Sequence, residues 1–158
     1  MAPDAREIRG YRLTAANVAK VDQVTSILDR LPPGPSEAPR SDVAMAVVLA
    51  MSFAYNEPFR DRQVDEMVGN IEGGHPELAA AIQTAGLSTR DYVLTHMALL
   101  LAYPVVAQKR QGVSKAPPGD VSADNLAFVE SHWGEVDRAM THLMDRVAEA
   151  RRRSEGGR

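Results

Sequence analysis

The 158-residue chain has no cysteine, a formal net charge of −3, and 44% apolar against 25% charged residues. Those totals fit one globular domain with a core of its own. They exclude disulfides, thiolate catalysis, iron–sulfur clusters and cysteine-based zinc sites. Basic residues cluster only in the final "RRRSEGGR", which suits a fraying helix end better than phosphate, so no nucleic-acid partner is expected.

Residues 1–12 read as a flexible lead-in, 13–150 as a single helical domain, and 151–158 as a flexible basic tail. "MAPDAREIRG" has no apolar signal-peptide region. The expectation is a soluble chain, cytoplasmic as it stands, or periplasmic if Met1 replaces a removed leader. Thr14 can cap a first helix to about Leu31, with Val18, Val21, Val24 or Thr25, Leu28 and Leu31 on one face. "LPPGPSEAP" ends it, because proline offers no backbone donor and clashes with a continuing helix. Ser41 or Asp42 then opens "DVAMAVVLAMSFAY", a helix over 42–55 with almost no polar face.

After Pro58, Val64, Met67, Val68 and Ile71 recur at amphipathic helical spacing. "EGGHPE" turns into a fourth helix with Pro76 at its first position and Gly86 just past its end. Ser88 caps a fifth helix, which runs to about Gln111 and is expected to bend at Pro104. "GVSKAPPGD" is a loop. Ser122 caps the last helix, and Val121 can staple onto Leu126. Its apolar residues, Leu126, Val129, Trp133, Val136, Met140, Leu143 and Val147, alternate spacings of three and four, the seam of a left-handed bundle. No stretch sustains alternation of period two. The fold expected is therefore all-α, a compact bundle of five to six helices with proline-rich connections. The apolar span Asp91–Val106 falls short of the ~20 residues needed to cross a bilayer.

A helix apolar on every side is a buried helix, yet both 42–55 and the fifth helix have that character. Three arrangements accommodate the surplus. One helix is central and the other is covered by loops and short helices, or one face joins copies of the chain into a homo-oligomer, or the pair lines a pocket for an apolar or aromatic small ligand.

Two patches carry candidate binding residues. Tyr92, His96 and Tyr103 share a face of the fifth helix with Leu99. A core histidine bonded to a tyrosine or a carbonyl would explain His96, and a ligand, a metal or a b-type haem would be the functional alternative. Asn125, His132 and Trp133 flank the seam of the last helix, either as core residues or as the floor of a polar pocket. Catalytic and metal-ligating residues are expected to be none. The lone Glu-x-x-His, Glu72–His75, contains Gly73 and Gly74 and reads as a turn rather than a di-iron motif. His132 with Glu135, and His142 with Asp145, read as solvated pairs. Metalloprotease, phosphate-loop and nucleophile-elbow motifs are missing from the sequence, so the reading leans away from an enzyme.

"YRLT" (11–14), "HPELAAAIQTAGLSTRDYVLTHMALL" (75–100) and "VSADNLAFVESH" (121–132) together resemble a family of small bacterial helical proteins without assigned activity, often exported. The most specific part is the helix–glycine–helix junction at Ala85-Gly86-Leu87 before Asp91-Tyr92. The resemblance implies an all-α fold and a periplasmic location, and it brings no catalytic residue or cofactor. The functional expectation is a non-catalytic module for a small ligand or a partner protein. The alternatives are a haem- or metal-binding protein or enzyme using His96, and a structural homo-oligomer through 42–55.

Overall fold

The computed structural model describes residues 3–31, 63–113 and 121–156. The helix expected over 42–55, the loop after Leu31 and most of the loop before Val121 lie outside the described residues. Within them the chain forms seven helices and no strand: α1 (Pro3–Gly10), α2 (Ala15–Asp29), α3 (Gln63–Gly74), α4 (Pro76–Thr84), α5 (Thr89–Arg110), α6 (Ala123–Ser131) and α7 (Trp133–Gly156). The all-α bundle stands, and the described residues alone hold seven helices where five or six were expected.

The extra helices have separate origins. Residues 3–10, expected as part of a lead-in, form α1, and its Ile8 is buried. The helix expected from Ser122 onward is interrupted at His132, whose backbone leaves the helical region at φ −115°, ψ 29°. The carbonyl of Phe128 there accepts from the backbone N–H of His132 and from the Ser131 hydroxyl, at 2.9 and 3.1 Å. The apolar seam nevertheless continues across the break, with Val129, Val136, Met140 and Leu143 buried. α7 also runs on to Gly156, through most of the segment expected as a tail.

Local chemistry sets the other boundaries as expected. Thr14, Ser88 and Ser122 each accept the N–H three residues on, from Asn17, Asp91 and Asn125, at 3.0–3.1 Å, which satisfies one free donor of the helix start. After α4, Gly86 adopts φ 80° and Leu87 N–H reaches back to Ile82 C=O at 3.2 Å, while Gly86 N–H bonds Gln83 C=O. This paired closure needs a left-handed residue, which glycine supplies without a Cβ clash.

α5 is the hub of the bundle. α1, α2, α3, α4 and α6 all pack against it, and every residue from Tyr92 to Leu100 is buried. Contact on all sides explains its missing polar face, and it continues unbroken through Pro104. Truncating one such buried leucine to alanine typically costs roughly 2–5 kcal/mol. α2 turns Val18, Val21, Val24, Thr25 and Leu28 inward and packs on α4, α5 and α7. Arg90, near the start of α5, ties the edge together. Its guanidinium donates to both carboxylate oxygens of Glu7 on α1, at 2.7 and 2.6 Å, and to Asp65 on α3 at 2.7 Å.

Candidate functional site

α5 presents Tyr92 and His96 one turn apart, where side chains on a helix meet. They are 2% and 3% exposed. Their rings meet edge to face, with centroids 4.5 Å apart and planes at 73°. Among the described residues, neither the Tyr92 hydroxyl nor either ring nitrogen of His96 has a hydrogen-bond partner. Each buried polar atom left in that state costs about 1–3 kcal/mol, and native cores hold few of them.

Burial pushes the His96 imidazole down to about 4, so it is neutral at pH 7 and offers one N–H donor and one lone pair. Burial also holds the Tyr92 phenol well above its ordinary range, opposed by the charge of Arg146 on α7. Together the two side chains give an uncharged set of donors and acceptors. Such a set suits hydrogen bonds to a neutral polar group. It does not suit an ionic ligand, whose charge would be buried in a low-dielectric core with no counter-charge from either side chain.

Tyr103 is differently placed. Its hydroxyl donates to Asp137 at 2.6 Å, and its ring stacks on Trp133 with centroids 5.2 Å apart and planes parallel. The Arg110 guanidinium carbon lies 4.9 Å from the Trp133 ring centroid, a cation–π contact. Burial, followed by the bond to Asp137 and its charge, pushes the Tyr103 phenol up to about 12. The row Tyr92–His96–Leu99–Tyr103 thus divides into an unpartnered buried pair and a partnered aromatic stack between α5 and α7.

Asn125 and His132 are not brought together with Trp133. Asn125 is buried, and its amide reads the backbone between α1 and α2. Its Oδ1 accepts from Leu13 N–H at 3.0 Å and its Nδ2 donates to Tyr11 C=O at 2.9 Å. The amide does what a neighbouring β-strand would do, satisfying two buried backbone groups. The Tyr11 hydroxyl is held in the same region, sharing a 2.8 Å hydrogen bond with Thr95 and accepting one from Asn17. His132 stacks on Phe128, with centroids 4.2 Å apart at 17°. Its Nδ1 lies 3.1 Å from the Phe128 carbonyl and 3.0 Å from the Ser131 hydroxyl, so the ring closes the end of α6.

The polar residue that sequence reasoning missed is His142, read as solvated beside Asp145. In the structure it bonds Asp22 and Asp29 of α2, and Arg146 pairs with Asp29 as well. One signal was present: two carboxylates two turns apart on α2, and two basic residues one turn apart on α7. Which helices would face each other was not. Among the described residues, no three His, Asp or Glu side chains converge as ligands for a metal ion. No helix there is long and apolar enough to cross a membrane.

No family model matches the chain, and neither the curated proteins nor the solved structures include one similar to it. Of the resemblance drawn from "YRLT" and the two longer stretches, the small all-helical character is what stands.

Proposed function

We propose that the protein is a non-catalytic binding module in which Tyr92 and His96 hold the polar group of a small, largely apolar, uncharged ligand. The observation that carries this reading is the cluster of three buried polar atoms without partners on one turn of the hub helix. Among the described residues the other buried side-chain polar atoms are satisfied, so a phenol and an imidazole held together in this way lower stability, and a bound donor–acceptor group offsets that cost. The apolar residues that follow on α5, Met97, Ala98, Leu99 and Leu100, are buried and fit the chemistry of the ligand body. Catalysis is a poorer fit, because an imidazole that stays neutral down to about pH 4 is a weak general base at neutral pH.

Both side chains are shut off from solvent, so an occupant exchanges only when helices part and should survive purification. Native mass spectrometry of freshly purified protein, beside its denatured mass, tests this directly. The expected result is a surplus mass on the folded monomer that disappears in His96→Leu and Tyr92→Phe. Equal native and denatured masses, together with no response of the His96 ring signals to phenol as a neutral probe, would sink the proposal. A clean dimer without surplus mass would favour the homo-oligomer reading instead.

A further inference from the structure

His142 is gripped from two sides by α2. Its Nδ1 lies 2.8 Å from Asp22 Oδ1 and its Nε2 2.6 Å from Asp29 Oδ2. An ionised carboxylate only accepts hydrogen bonds, so both ring nitrogens must donate, and only the imidazolium form does so. In the neutral ring, one nitrogen would turn its lone pair on a carboxylate oxygen. We propose that His142 is a proton-operated clamp on the contact between α2 and α7, closed while the imidazole is protonated and loosened when the proton leaves.

The surroundings support a clamp that titrates freely. The side chains of His142, Asp22 and Asp29 are 32%, 34% and 41% exposed, so protons reach them from solvent. From α2, the charged groups facing the ring are Asp22 and Asp29. On α7, Arg146 lies one turn on and bonds Asp29, while Arg138 and Asp145 lie about one turn to either side. α6, also packed on α7, has its carboxylates engaged elsewhere, Asp124 with Arg12 and Glu130 with Lys109. From α5, the Tyr92 phenol lies within reach of the Arg146 charge.

Burial alone would lower the proton affinity of His142, but the bonds to Asp22 and Asp29 and their charges outweigh it and raise the affinity above the ordinary histidine value. For a raised histidine, the stabilisation is fully present below the ordinary value near 6.5 and is lost as pH rises through the raised one. The clamp is therefore closed below about pH 6.5 and opens as pH rises through the raised value. Arg146 stays with Asp29 in both states, so the contact loosens without separating. The clamp does not depend on what Tyr92 and His96 bind.

The test is a histidine-ring nitrogen NMR titration of the whole chain from pH 5 to 9, with backbone amide exchange along α7 corrected for intrinsic rates. The expected result is two protonated ring nitrogens on His142 at pH 6.5, a midpoint above the ordinary value, and a several-fold loss of α7 protection across that midpoint. His142→Arg keeps a positive charge throughout and should hold protection flat, whereas His142→Gln should show the loosened value at every pH. A single neutral tautomer at pH 6.5 would overturn the proposal, as would a wild-type exchange profile matching that of His142→Gln. The ring titration needs only the wild-type chain, so it decides even if a variant fails to fold.

Discussion

His96 and His142 are the same side chain in opposite circumstances. His96 sits on the hub helix among buried neighbours with both nitrogens unpartnered, and burial keeps it neutral. His142 sits on α7 between two carboxylates, half in solvent, and its geometry requires the charged form. Acid therefore acts on them in opposite senses. Protons drive His96 towards a form the core cannot hold, and the same protons close the clamp at His142. Whether a buried polar group helps or harms a fold is decided by its partners rather than by its identity.

The largest way to test that contrast is acid. The folded-state value of His96 is depressed to about 4, against about 6.5 when unfolded. Its contribution is therefore present above pH 6.5 and lost as pH falls towards 4, by about 3 kcal/mol in all. Urea unfolding at a series of pH values should show this loss in the wild type and not in His96→Leu. A persisting acid slope in the variant would assign the slope to other groups.

Asn125 sharpens the comparison from the other side, as a buried polar group with its partners in place. Asn125→Ala strands the Leu13 N–H and the Tyr11 carbonyl and should destabilise by roughly 2–3 kcal/mol in the same assay. Tyr92→Phe, by contrast, deletes a hydroxyl that has no partner. It should stabilise the ligand-free protein by about 1 kcal/mol, seen as a higher urea midpoint at unchanged slope, and a loss would mean that the hydroxyl is satisfied in solution. The smallest effect is expected at the clamp. His142→Gln should cost less than about 1 kcal/mol near pH 6, since these partly exposed charges are screened by water. The difference from wild type should vanish at high pH, where His142 is neutral. It should also shrink as pH falls far enough to protonate Asp29, whose acidity is raised because bonds from His142 and Arg146 outweigh the effect of burial.

Much of the fold was legible because it is written in local chemistry. The caps at Thr14, Ser88 and Ser122, the glycine after α4 and the inward face of α2 follow from spacing and side-chain type. The features that escaped are set by contacts distant in the chain. α1 buries Ile8 and is held by Arg90 of α5, and its eight residues are too few to show a periodic apolar pattern. The break at His132 occurs inside an unbroken apolar seam, where period alone predicts continuity. At the candidate site, the face shared by Tyr92 and His96 was readable from their spacing. That Tyr103 would find Asp137 while those two found nothing depended on how α7 lies against α5. Asn125, read as either a core residue or part of a pocket floor, binds the chain's own backbone.

That last contact also bears on when the fold can be completed. The Asn125 amide bonds Leu13 and Tyr11 across separations of 112 and 114 residues. The segment between α1 and α2 leaves the ribosome long before the side chain that pins it, and the loop to be closed spans most of the protein. Closing so long a loop gains nothing until its ends meet. α2 has its own cap and an apolar face that α4 and α5, both made before α6, can cover first. The link between α1 and α2 must wait for α6, so a segment synthesised among the first is among the last to be pinned.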